Sequence, residues 1–187
     1  MKKKSTAVFP NALNGGLYLG LALVIYSIIM WAAGLTNMGE KSTFIFVLQL
    51  IITATVLFFV TKSYRDLKLN GTITYGRILG FQTLSGLVAG VILAIYTYLF
   101  FTVIDTDALN QIRIAQEEAM LAQGLSAEQV EMSMKMMAPF SNPITMSLGN
   151  IFAMPVFGFI ISLIEGIFLK KEGNPFYTAM ADIDEDK

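Results

Sequence analysis

The sequence predicts an all-α, polytopic membrane protein. Four transmembrane helices are expected, with an extracytoplasmic amphipathic helical hairpin between the third and fourth. Composition is the first ground. Of 187 residues, 55% are hydrophobic and only 14% charged, against about 25% charge in an ordinary soluble domain. Mean hydropathy is +0.61. Spacing is the second ground. Four continuous apolar runs approach or exceed the roughly 20 residues that carry a helix across the hydrocarbon core. They do not alternate as barrel strands do, and helices satisfy their own backbone inside lipid. The third ground is the polar stretch between the last two runs, which carries its own helix start and stop signals. A chain of this length suits a single domain, residues 1–187.

The first run covers residues 13–35, LNGGLYLGLALVIYSIIMWAAGL. The basic start MKKKSTAVFP resembles a secretory leader, but the run is too long for a signal core, so a retained span is expected. The second run, residues 43–61, contains Gln49. After it, Lys62 to Arg77 holds four bases, one acid and an Asn70-Gly71 turn signal. Each such base beside an anionic leaflet contributes about 1 kcal/mol. The third run, residues 78–104, carries Gln82.

Residues 105–142 form the polar loop. Thr106 or Asp107 is placed to cap a first helix, and Gly124 to stop it. Ser126 followed by Gln129 is a capping-box pattern, opening a second helix from Ala127 to about Met137 that Pro139 ends. The fourth run, residues 144–169, contains Asn150, Glu165 and Pro155. A proline there withdraws a hydrogen bond from the Ile151 carbonyl and predicts a kink. Residues 172–187 make a short acidic tail, expected to be solvated.

Orientation follows the placement of lysine and arginine. Ten of the thirteen fall in the segments on one side: the N-terminus, the loop from Lys62 to Arg77, and the C-terminal tail. Lys41, Arg113 and Lys135 fall on the other. Both termini are therefore expected in the cytoplasm and the 105–142 loop outside.

Several function classes lose their usual equipment. The chain has no cysteine and no histidine, which removes thiolate metal sites, the commonest general base and the commonest transition-metal ligand. A net charge of -1 gives no basic field for nucleic acid. The stretch EQVEMSMKMMAPF, together with Met120, is rich in thioethers. Met132 and Met136, a turn apart, offer two soft ligands for Cu(I). Methionine also fills irregular apolar gaps, and packing on the hairpin or the lipid interface is the favoured reading.

Small residues recur at four-residue spacing: Ala12, Gly16 and Gly20; Gly76 and Gly80; Gly86, Gly90 and Ala94; Gly158, Ser162 and Gly166. Such stripes let helix backbones approach closely in lipid. Polar groups within the spans are few, namely Gln49, Gln82, Asn150 and Glu165, and an intramembrane ionisable residue invites a functional reading. By depth, Gln49 and Asn150 lie level and are expected to pair. Glu165 is expected to face the interior with Arg77 as its partner, and Gln82 or Lys62 as alternatives.

The segment YRDLKLNGTITYGRILGFQTLSGLVAG, the following IDTDALNQ, the MSMKMMAPF hairpin end and the closing ISLIEGIFLKKEGNPF resemble the domain of unknown function 4199 family. These are small four-span membrane proteins of Bacteroidetes-type bacteria. The resemblance implies the fold and a bacterial inner-membrane home, and it brings no catalytic residue and no cofactor. The expected function is that of a non-enzymatic structural, regulatory or partner subunit. The alternative is a small oligomeric transporter or channel. Enzyme chemistry would need a cluster of titratable groups that the sequence does not show. The expected company is the lipid bilayer, with a homo-oligomer or a membrane-protein partner.

Overall fold

The computed structural model describes residues 7–35 and 42–171. The acidic tail, residues 172–187, lies outside the described residues, as do Lys2, Lys3, Lys4 and Lys41. Six α-helices follow one another: α1 (Val8–Ala32), α2 (Ser42–Lys68), α3 (Tyr75–Leu99), α4 (Ala108–Ala122), α5 (Ala127–Met137) and α6 (Pro143–Leu169). A π-helical turn, Phe100–Ile104, prolongs α3, and a 3-10 turn, Ala138–Phe140, precedes α6. Among the described residues four helices are long and apolar enough to cross a membrane: α1, α2, α3 with its π turn, and α6.

The helices outrun their apolar segments, α1 and α2 most of all. α1 begins at Val8 instead of residue 13, and α2 continues to Lys68 instead of ending at residue 61. For α2 the reason is electrostatic. Arg65 and Lys68 occupy the last turn of α2, where cations oppose the negative end of the helix dipole. The Asn70-Gly71 signal is a true turn, with φ of +54° and +81°. These left-handed values suit Asn and Gly.

α3 is the centre of the bundle. It packs along α1 on one side and α6 on the other, while α2 lies across all three. Register is set by small residues. A Cβ on Gly16 would come within 2.5 Å of the Ser85 carbonyl oxygen on α3. Gly86 and Gly90 face the backbone of Met154 and Asn150, and Gly158 faces the backbone of Gln82. At these positions a Cβ would lie 2.5–2.6 Å from a carbonyl oxygen. The pairs Gly86–Met154 and Gly158–Gln82 define an antiparallel seam between α3 and α6. The pairs Gly16–Ser85 and Gly20–Ile92 define a parallel one between α1 and α3. The expected stripes on α1, on α6 and over Gly86 and Gly90 are thus spent inside the chain.

The Gly76–Gly80 stripe is not. Neither position has another described residue within 4 Å of where a Cβ would stand. α6 runs unbroken through Pro155. The interior fills in two clusters. One joins Leu19 and Leu23 of α1 to Leu57, Leu93, Met154 and Ile161. The other joins Ala12 and Tyr64 to Ile73, Ile78, Phe81 and Leu169.

The end of the bundle that carries the α2–α3 turn is also tied by the backbone. Ile73 and Lys171 exchange two hydrogen bonds of 2.8 and 3.1 Å in an isolated antiparallel bridge. Arg65 Nη1 donates to the Leu169 carbonyl at 3.1 Å, satisfying an acceptor that the end of α6 would leave open. At the opposite end, α5 opens with the capping box. Gln129 N donates to Ser126 Oγ, and Ser126 N donates to Gln129 Oε1. Asp107 stands at the N-cap of α4 without capping the backbone; its carboxylate accepts from the Asn110 and Gln111 side chains.

Candidate functional site

Near the basic end, three polar side chains from three helices converge. Gln82 of α3 is fully buried. Its Nε2 donates to Glu165 Oε2 on α6 at 2.7 Å and to Thr61 Oγ1 on α2 at 3.0 Å. Thr61 is fully buried as well. The amide thus spends both hydrogens across helices, while its Oε1 has no partner among the described residues. A buried acceptor left open costs on the order of 1–3 kcal/mol.

Arg77 is not the partner of Glu165. Its Nε donates to the Tyr64 hydroxyl at 3.0 Å, with the guanidinium 5.7 Å from the centre of that ring. Tyr64 in turn stacks on Phe81, with centroids 4.6 Å apart and planes within 8°. The reason lies in depth. Arg77 occupies the first turn of α3 at the bundle's edge, where the Tyr64 phenol receives it. Gln82 lies five residues further in, on the level of Glu165. Charge complementarity favoured arginine, and level and facing favoured the amide. Lys62, the other alternative, is exposed.

The same end is closed by Tyr75. Its hydroxyl donates to the Leu163 carbonyl at 3.0 Å, and its ring lies where a Cβ on Gly166 would stand. Gly166 is therefore a seat for an aromatic ring.

Toward the other end the four long helices part. They leave a crevice of about 480 Å³ between the ends of α1 and α3 and the beginnings of α2 and α6, with Ile112 of α4 at its rim. Gln49 and Asn150 both line it. The two share one crevice, but no hydrogen bond joins them. Asn150 Nδ2 donates to Thr97 Oγ1 on α3 at 3.0 Å and to its own helix at the Met146 carbonyl at 3.5 Å. The close approach of α6 at Gly90 brings Asn150 against α3 and turns it from α2. The Tyr26 hydroxyl closes the crevice between α1 and α2 by donating to the Ile45 carbonyl at 2.7 Å. The π turn sets Phe100 and Phe101 into the wall, a kind of local distortion that recurs at functional positions.

Sequence reading passed over Thr61, Tyr64 and Thr97. The available signal was their class: hydroxyls within or beside apolar runs bond across helices in lipid. It was weak because a helical threonine also bonds its own backbone, as Thr53 does to the Gln49 carbonyl.

Among the described residues no group of three or more aspartate, glutamate, histidine or cysteine side chains is placed to hold a metal ion. Met132 and Met136 are about 70% exposed, while Val130 beside them is buried.

A family model described as a protein of unknown function, DUF4199, matches residues 14–171. No curated protein and no solved structure matches the chain.

Proposed function

Since this chain belongs to the DUF4199 family of proteins of unknown function, we propose from its own geometry that it is a non-enzymatic partner subunit of the bacterial inner membrane. Both termini lie in the cytoplasm, and the α4–α5 hairpin faces outward. The basic end, with Arg65, Lys68, Arg77, Lys170 and Lys171, agrees with that orientation.

The observation that carries the reading is the Gly76–Gly80 stripe. Other small-residue stripes are filled by helices of the same chain, whereas among the described residues nothing stands within 4 Å of a Cβ at either of these positions. In lipid, apolar surface alone does not drive helix association. Close backbone approach over small residues does. An open Gly-x-x-x-Gly stripe on α3, continued by the exposed Leu87 and Val91, suits a helix of a second membrane protein. A transporter would instead need an interface that slides or rocks. The backbone-to-backbone seams at Gly86, Gly90 and Gly158 oppose such motion.

Purification from native membranes at low detergent tests this. Wild type should carry a stoichiometric membrane-protein partner. Gly80→Leu should lose it with an unchanged melting temperature, since among the described residues nothing lies within 4 Å of a Cβ there. A wild-type protein that purifies alone, or a partner kept by Gly80→Leu, would contradict the proposal.

A further inference from the structure

The crevice at the α4–α5 end has a composition that selects its occupant. Its volume of about 480 Å³ falls in the range of small-molecule sites, roughly 300–1,000 Å³. None of its lining residues among those described is charged. Among the described residues a phosphate or carboxylate head would therefore find no cation there. The wall is instead rich in aromatic rings, with Phe46, Tyr96, Phe100 and Phe101 contributed by α2, α3 and the π turn. Such rings receive a flat π-system by offset or edge contact.

Polar capacity is limited and specific. Asn150 is engaged with Thr97. The Gln49 side chain has no partner among the described residues and is half-buried in the same wall. An amide at this depth in a membrane helix gains by meeting an acceptor, since lipid offers it none. The wall also continues from Phe46 and Gln49 into a narrow gap between α2 and α6, bounded by Leu50, Met154, Phe157 and Ile161. That gap, about 20 Å³, is too narrow for a tail, but Phe46 at the crevice and Val47 beside it are exposed and leave an apolar tail a way out past them toward the acyl chains.

A neutral head, a flat ring, a carbonyl acceptor and an apolar tail together describe one class of membrane-soluble molecule. We propose that the crevice binds a lipid-soluble quinone, with its ring among Phe46, Tyr96, Phe100 and Phe101 and one carbonyl accepting from the Gln49 amide. The proposal concerns binding alone, with no electron transfer. It stands independently of the partner-subunit reading, because the Gly76–Gly80 stripe lies at the other end of the bundle.

The chain provides its own probe. Its single tryptophan, Trp31, meets Phe100 edge-on with centroids 6.1 Å apart, and Phe100 lines the crevice. A quinone there should quench Trp31 fluorescence. The experiment titrates the full chain in detergent micelles with a short-tailed benzoquinone. The expected result is saturable quenching at one quinone per chain. Gln49→Leu should raise the Kd about tenfold, the worth of one hydrogen bond, with an unchanged melting temperature. Phosphatidylcholine and a ring-free alcohol of the same tail should not displace the quinone. Quenching that rises linearly without saturation would overturn the proposal, because it reports partitioning into the micelle. So would an unchanged Kd in Gln49→Leu. Equal displacement by phosphatidylcholine would also overturn it, since the crevice would then be an acyl-chain groove.

Discussion

Gln82 illustrates how few polar atoms decide the interior. One buried amide joins α2, α3 and α6 through Thr61 and Glu165. Gln82→Leu removes both bonds and leaves the Glu165 carboxylate with no partner among the described residues, a loss of about 1–3 kcal/mol. Thermal or chemical unfolding in micelles measures it. In a double-mutant cycle, Gln82→Leu and Glu165→Gln should couple by about 0.5 kcal/mol or more, while Arg77→Gln and Glu165→Gln should add within about 0.5 kcal/mol. Strong coupling of the second pair would restore the ion pair that charge alone suggests. Gly90 is the steric counterpart. Gly90→Leu forces a side chain against the Asn150 carbonyl, 2.6 Å from the position of its first carbon. Overpacking of this kind costs about 1–3 kcal/mol, or more where backbone must yield. At this scale approximate depth was legible in the sequence, because rise along a helix is fixed. The way each side chain faces was not. Asn150 went to Thr97 because the Gly90 contact rotates and presses α6 against α3.

Among the elements, the spans and the capped helix α5 were legible from the sequence, since apolar length and the Ser126–Gln129 pattern are local signals. α5 spans Ala127–Met137 with both arms of its capping box formed. Ser126→Ala should therefore cost about 1 kcal/mol of local stability, seen as faster amide exchange in the first turn of α5. Replacing Met132, Met134, Met136 and Met137 with leucine should leave the fold intact, at below roughly 1.5 kcal/mol per site. Copper(I) binding should be the same before and after; a defined stoichiometry lost in the variant would restore the metal reading. The helix ends were less legible. α2 extends past its apolar run because Arg65 and Lys68 stabilise its last turn and Arg65 reaches the Leu169 carbonyl. That contact joins residues 104 positions apart and leaves no local trace.

The whole molecule is three helices fixed by glycine seams, α1, α3 and α6, with α2 laid across them. Which stripe of small residues serves inside the chain and which remains open is a property of assembly. The stripes look alike in sequence, and only packing separates Gly86 and Gly90 from Gly76 and Gly80. Orientation is open to a direct check, because the chain has no cysteine. A cysteine at Gln123 should react with an impermeant thiol reagent in intact spheroplasts, and one at Ser63 should not; the reverse pattern would invert the topology. The α1–α3–α6 seams are expected to hold one arrangement, as a subunit's scaffold does and a transporter's moving halves do not. Spin-label distances test it most directly. One pair sits at Ile28 and Leu148 near the α4–α5 end, and one at Leu13 and Ile164 near the basic end, all of them exposed side chains. In reconstituted membranes each pair should give a single narrow distance, unmoved by an ion gradient or by added quinone. Two populations that widen at one end as they narrow at the other would contradict the account.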